Sequence, residues 1–380
     1  MRLNSPHARP PSADARTASA GAASIAGWLL GGTAQVETGP QAGAVAGLID
    51  ASGRAVYAYP EIAGYFLQWL AWRAREHGIS PELGARARAT QHWLAHWLAS
   101  GDPPRTRVPL VESPDDWRNT AVFCFDLAMV LRGLGSAARG RLIEPDPGVV
   151  AGVTHHLGRA IGPDGLFAAC VPNLPSTALP DRWSTRRGPF LAKASAGIVA
   201  AAEVLPGVPA AVRAAAAATH AAALSWAVET PHEEVHPMLY TLEGALSLPR
   251  HPRFTAVLPA LAAQFDALLA ATDALGRVPE ALGPGRATSG PERVDIVAQA
   301  LRVGHLLGLH RPERPPDRVG LERLCDLLVA RIEPDGAVPF DATQRPIQRN
   351  VWAAMFAEQA LGFLGRDRAR PSLRDDPLIV

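Results

Sequence analysis

Apolar helical segments of two kinds alternate along this chain, and that alternation limits its possible folds more than any single motif. One kind is rich in Ala, Leu and Arg: "PELGARARATQHWLAHWLAS", "PGVVAGVTHHLGRAIG", "PAAVRAAAAATHAAALSWAVE", "HPRFTAVLPALAAQFDALLAATD" and "VGLERLCDLLVARIE". The other is more apolar and opens on polar or aromatic residues: "YPEIAGYFLQWLAW", "DWRNTAVFCFDLAMVLRGL", "GPFLAKASAGIVAAAEVL", "HPMLYTLEGALSL", "RVDIVAQALRVGHLLGL" and "NVWAAMFAEQALGFLG". Residues 21–32 supply a sixth member of the first kind. Alternating Val/Ile/Thr/aromatic runs are scarce, so the chain reads as all-α.

The joints repeat too. "LIDASGRAV", "IGPDGLFAACV", "TDALGRVPEAL" and "IEPDGAVPF" each place an acidic-Gly turn before a segment of the second kind. A helical hairpin recurring every fifty to seventy residues or so is the mark of a closed or stacked array. Six hairpins whose second helix is strongly apolar predict an (α/α)6 toroid, with the second kind as the inner ring. A straight solenoid of hairpins would need polar end caps, which are lacking. The expected organisation is a disordered tail over 1–20, one toroid over 21–366 and a C-terminal tail over 367–380.

The inner segments carry a narrow polar stripe. Glu61, Tyr65 and Gln68 are spaced i, i+4, i+7, which stacks them on one helical face. Asn119, Phe123 and Asp126 share the spacing, as do His236, Tyr240 and Glu243, and Asp295, Gln299 and Arg302. Trp352, Phe356 and Gln359 give it an aromatic flavour, and the third inner segment offers only Lys193. Polar groups on buried helices need partners or water, and in a toroid they can face the axis. They also serve as caps or bond one another across it. The stripes predict a central polar and aromatic cavity. Its candidate acid–base groups are Glu61, Asp126, His236, Glu243 and Asp295. Its candidate substrate contacts are Tyr59, Tyr65, Trp117, Asn119, Lys193, Tyr240, Gln299, Arg302, Asn350 and Trp352.

Crowded carboxylates split their pKa values, so one stays an acid while another is a base, as glycoside hydrolysis requires. His236 with Glu243 or Tyr240 would instead suit proton transfer at carbon, as in epimerisation or elimination. Lys193 and Arg302 would neutralise a substrate carboxylate.

Composition removes other classes. A formal net charge of +1 over 380 residues gives no field for nucleic acid. No polybasic run marks a membrane surface, and no stretch reaches the roughly 20 continuous apolar residues of a membrane span. Cys124, Cys170 and Cys325 are scattered, with no CxxC pair, so neither a disulfide framework nor a thiolate zinc site is expected. The N-terminus lacks the compact apolar region of a secretory signal, which leaves a cytoplasmic location as the default.

"HEEVH" (232–236) matches the H-E-x-x-H zinc pattern, but Pro231 and Pro237 bracket it and a zinc helix would be continuous. "GPGRATSG" (283–290) has no strand before it and no Lys-Ser/Thr after it, so it reads as a loop over the cavity mouth. His155 and His156 lie on an outer segment. No metal or cofactor motif is present.

The six-hairpin pattern resembles the six-hairpin glycosidase-like toroids, which include uronyl hydrolases, polysaccharide lyases and N-acylglucosamine 2-epimerases. "HPMLYTLEGALSL" is similar to the region of the 2-epimerases where a His and a Glu face a sugar. The resemblance implies a small-molecule or oligosaccharide substrate and a site at the end where the inner helices begin. A non-catalytic toroid that binds a glycan or a protein, or an isoprenoid-type toroid enzyme, are the competing expectations. The sequence leaves the oligomeric state open.

Overall fold

Helix starts in this chain are closed in different ways. The computed structural model describes residues 15–283 and 291–364. Outer helices α3 (Pro81–Ala99), α5 (Pro147–Arg159) and α11 (Arg318–Ala330) open on side-chain caps. The Ser80 hydroxyl accepts from the Leu83 amide at 3.2 Å. Asp146 accepts from Gly148 at 2.7 Å, and Asp317 accepts from Gly320 at 2.8 Å. Inner helices α2 (Pro60–His77), α4 (Cys124–Arg139), α6 (Leu191–Ala202), α8 (Val235–Ser247) and α10 (Val294–His310) have no side-chain cap at all. Backbone carbonyls take the first amide of three of them instead: Cys124 donates to Ala169 at 2.9 Å, Val235 to Glu280 at 2.8 Å and Val294 to Phe340 at 3.0 Å.

The six inner helices, completed by α12 (Val351–Leu364), pack in the cyclic order α2, α4, α6, α8, α10, α12 and back to α2. The outer ring adds α1 (Ala15–Leu30), α7 (Ala210–Glu229) and α9 (Phe254–Ala271) to those named above. Helix α1 packs on α12 and α11, so the first helix completes the last hairpin. This is the predicted (α/α)6 toroid. Helix α1 begins at Ala15, so residues 15–20, expected in the tail, extend the first outer helix. The rest of that tail, residues 367–380 and most of the 283–290 loop lie outside the described residues. Helix α9 is long and apolar enough to cross a membrane by composition; Val257, Leu261, Phe265 and Leu268 are buried within the outer ring.

A ring this tight needs inner helices to touch backbone to backbone. A Cβ on Gly64 of α2 would lie 2.3 Å from the Met129 carbonyl oxygen of α4, and one on Gly133 would lie 2.3 Å from that of Gly64. Gly244 of α8 meets Ala192 of α6 in the same way, at 2.3 Å. Between α12 and α2 the joint is polar. The buried Glu358 carboxylate accepts from the Trp69 indole at 3.0 Å and from Arg73 at 2.9 Å.

The repeated joints adopt one turn geometry. The amides of Gly53, Gly276 and Gly336 donate to the carbonyls of Asp50, Asp273 and Glu333, at 3.0, 3.1 and 2.8 Å. Each of these glycines has a left-handed φ, from 82° to 90°, which explains the residue type at that position. Short strands crown the end of the ring where inner helices begin. Strands β1 (Ala46–Ile49), β2 (Ala55–Ala58), β3 (Val108–Pro109) and β6 (Arg349–Asn350) form an antiparallel sheet in the order β3-β2-β1-β6. Strand β4 (Ala121–Phe123) pairs with β5 (Cys170–Pro172), Phe123 opposite Cys170.

One stripe does not survive as a helical face. Trp117–Thr120 is a 3₁₀ turn, Phe123 closes β4 and only Asp126 lies on α4. Asn119, Phe123 and Asp126 therefore come from three different elements.

Adding a methyl at the tightest crossing tests this packing. Gly64→Ala is expected to cost about 1–3 kcal/mol or more of stability, because rigid backbone cannot yield. Gly27→Ala on α1, where a Cβ would meet nothing within 4 Å, is expected to gain about 0.5–1 kcal/mol by helix propensity. Denaturant unfolding of both variants checks the pair; equal effects would contradict the close crossing.

Candidate active site

A cavity of about 220 Å³ opens where the inner helices begin. Its walls are aromatic: Tyr59, Trp117, Trp183, Tyr240, Phe340 and Trp352 line it. Helix α2 lies across the ring from α8, so Glu61 and His236, one on each, reach the same cavity from opposite sides.

Glu61 and Asp126 sit in the first turns of the neighbouring helices α2 and α4, and both line the cavity. Both are nearly buried, at 9% and 6% exposure. The Tyr59 hydroxyl donates to Asp126 Oδ2 at 3.0 Å. Burial, then the neighbouring charge of Glu61, pushes the Asp126 carboxyl well above the ordinary range. Burial also raises Glu61, against the pull of Lys193 and the phenols of Tyr59 and Tyr65. The charge of Glu61 thus opposes ionisation of Asp126, and burial disfavours the charged form of both.

His236 starts α8. Its Nδ1 lies 2.7 Å from Gln299 Oε1, and an amide oxygen only accepts, so Nδ1 carries the hydrogen. Gln299 is itself oriented by donating Nε2 to Glu243 at 3.3 Å. That leaves Nε2 of His236 as a lone pair. Burial, then Arg293, pulls His236 down to about 4, with Asp295 (4.0 Å from the ring) opposing. The imidazole is thus neutral at physiological pH, and its ring packs 4.4 Å from that of Tyr240.

Beneath the cavity lies a fully buried charged plug. Lys193 Nζ donates to Glu243 Oε2 at 2.8 Å, and Arg302 donates to Glu243 Oε1. Arg302 also donates to Gln359 at 2.9 Å. The Lys193 ammonium lies 4.7 Å from the Tyr65 ring centre and 4.6 Å from that of Tyr240, within cation–π range. Burial pulls Lys193 down to about 7. Burial alone would raise Glu243, but Arg302 and Lys193 override it and hold the carboxyl low.

The structure therefore divides the sequence candidates. Glu61, Asp126, His236, Tyr59, Trp117, Tyr240 and Trp352 line the cavity. Glu243, Lys193, Arg302, Gln299 and Tyr65 belong to the layer below, with side chains at or near zero exposure. Asp295 is also fully buried. It accepts a two-pronged contact from Arg293 at 3.0 and 2.6 Å, plus the Trp352 indole at 3.4 Å. Asn119 holds a loop instead, accepting from the Arg107 amide at 2.7 Å. Asn350 caps α12 through the Ala353 amide at 2.8 Å.

Four arginines that periodicity did not reveal also line the cavity: Arg107, Arg118, Arg182 and Arg293. Three come from irregular segments, where spacing carries no orientation. Their one sequence signal was an Arg beside a Trp, in "DWRN" (116–119) and again in "DRWST" (181–185). "HEEVH" splits between a joint and the start of α8, as expected. Among the described residues, Asp102, His155 and His156 bring ligand atoms within 4.8 Å of one another. They lie on and beside outer helix α5, away from the axis, and Asp102 also pairs with Arg159 at 3.3 Å.

The plug and the cavity respond differently to mutation. Glu243→Gln leaves two buried cations short of a counter-charge and is expected to cost about 3–5 kcal/mol in denaturant unfolding. Asp126→Asn removes a carboxyl that already resists ionisation, so its melting temperature should match or exceed the wild type. Equal losses in both variants would contradict the division.

No family model and no curated protein sequence matches the chain. Solved structures do. A D-mannose isomerase superposes with a TM-score of 0.66 at 13% identity, covering 92% of this chain and 97% of the other. A cellobiose 2-epimerase from Spirochaeta thermophila DSM 6192 gives 0.62 at 13%, covering 93% and 96%. An unsaturated glucuronyl hydrolase specific for heparin gives 0.61 at 12%, covering 92% and 97%. With its closed double ring and these neighbours over nearly its whole length, the chain has the (α/α)6 toroid fold that they share.

Proposed function

We propose that this protein is a carbohydrate-active enzyme that performs acid–base chemistry on one sugar unit held in the axial cavity. The observation that carries the reading is the Glu61–Asp126 pair, two nearly buried carboxyls opening into one aromatic-walled space. At 220 Å³ the cavity is below the range of about 300–1,000 Å³ usual for drug-sized ligands, which suits a single ring. Aromatic faces take the C–H faces of a sugar, and the carboxyls and arginines take its hydroxyls. A hydrocarbon substrate would be poorly served by so many charged walls, which sets the isoprenoid alternative aside. The structural neighbours named above include an isomerase, an epimerase and a uronyl hydrolase, which supports the class without choosing the reaction.

The pair favours glycoside hydrolysis. The protonated carboxyl gives its proton to the departing glycosidic oxygen as the bond to the anomeric carbon breaks. The ionised partner accepts a proton from the water that adds at that carbon. His236 supports a second reading. Its neutral ring with a free Nε2 suits removal of a proton from carbon next to a carbonyl, as in epimerisation or isomerisation. The three scattered thiols, all free, fit a cytoplasmic enzyme.

Turnover by Glu61→Gln and Asp126→Asn should fall by roughly 10²–10⁴ in kcat/KM with folding intact. Wild-type activity should fall at high pH as the protonated carboxyl of the pair ionises, and at low pH as both carboxyls protonate. Reaction in D2O separates the mechanisms. Cleavage without carbon-bound deuterium means hydrolysis, and deuterium at a ring carbon promotes His236. Undiminished turnover in both variants would contradict the role of the pair. Saturable binding without any product would mark a non-catalytic glycan-binding toroid.

A further inference from the structure

We infer that the sugar unit taken by this cavity carries an anionic substituent, held by Arg182 and Arg118 at the rim. This rests on the reading of the cavity as a sugar site. Four guanidiniums line the space, and their partners do not balance them. Arg107 and Arg118 share one carboxylate, that of Asp116, at 2.9 and 3.1 Å. Arg293 is matched by Asp295. Arg182 has no ion-pair partner among the described residues; its guanidinium lies 5.7 Å from the Trp117 ring centre. The Glu61–Asp126 pair resists full ionisation, so a positive surplus remains in the cavity when one of the two is charged.

Two further observations agree. The first is mutual repulsion. Burial, then Arg118, lowers the Arg182 guanidinium below its ordinary value; Glu234 opposes this, and Arg293 and Arg107 add to it. A bound anion relieves that repulsion. The second is the helix dipole: inner helices begin at this end of the ring, and although backbone carbonyls take the first amides of α4, α8 and α10, the positive ends of their dipoles face this rim. The guanidiniums of Arg118 and Arg182 both lie over the Trp117 ring, at 4.8 and 5.7 Å from its centre, so one anionic substituent reaching that point of the rim would meet both. A carboxylate of a uronic acid and a phosphate or sulfate ester share this chemistry, since both accept from planar guanidinium forks.

The test is calorimetric titration of the full-length chain with matched trios: glucose, glucuronate and glucose 6-phosphate, then the galacto and manno sets. In at least one trio an acidic member should bind on the order of tenfold more tightly than its neutral twin, as charge-assisted bonds imply. Arg182→Gln should abolish that preference without lowering the melting temperature, since Arg182 sits at an exposed rim. A uronate winning, or a phosphate winning, identifies the substituent, and either supports the inference. Neutral twins binding as well across all sets, no member binding, or a preference that survives both Arg182→Gln and Arg118→Gln would overturn it. The readout is binding, so the two readings fail separately. Acid binding with no turnover of the corresponding glycosides overturns the enzyme and keeps the anion site. Turnover of neutral glycosides with no acid preference does the reverse.

Discussion

The structure depends on how a closed ring of helices disposes of its own axis. Six helices facing inward leave a polar column that water cannot reach, and in this chain the solution is one carboxylate, Glu243, between two cations, Lys193 and Arg302. All three are fully buried. Such a group of charges is an indifferent source of net stability, because desolvation offsets most of the attraction. Removing one member is severe, because what remains is buried and unmatched. The aromatic rings of Tyr65, Tyr240 and Phe356 around Lys193 lessen its desolvation. The plug fills the axis, and the cavity lies in the shallow space above it.

That layering links the plug to the site. Glu243 orients Gln299, and Gln299 fixes the tautomer of His236. Lys193 acts on Glu61 from below, opposing the rise that burial causes. Asp295 plays a similar supporting part beside Arg293 and Trp352. Groups that share an axial stripe thus split into a floor that positions and a wall that lines the cavity.

Much of the fold was legible because toroids repeat. Alternating helix types and acidic-Gly turns gave the hairpins, and the turns at Gly53, Gly276 and Gly336 share one geometry. The stripe of His236, Tyr240 and Glu243 was legible as a face. Depth was not: periodicity fixes the angle around a helix but not the distance from its end, so Glu243 fell in the floor and His236 in the wall. The Asn119 stripe failed because β4 and a 3₁₀ turn interrupt the helix before Cys124. Arg107, Arg118 and Arg182 were missed because loops have no period, and only the tertiary fold brings them over the mouth.

The account turns on whether burial and the Glu61 charge keep the Asp126 carboxyl protonated in the cavity. Carbon-13 NMR titration of the labelled Asp126 carboxyl, in the wild type and in Glu61→Gln, measures this directly. Asp126 should titrate well above the usual carboxyl range in the wild type, and its midpoint should fall when the Glu61 charge is removed. An Asp126 that titrates near 4 in both proteins, the ordinary range for an exposed carboxyl, would contradict the acid–base reading of this site.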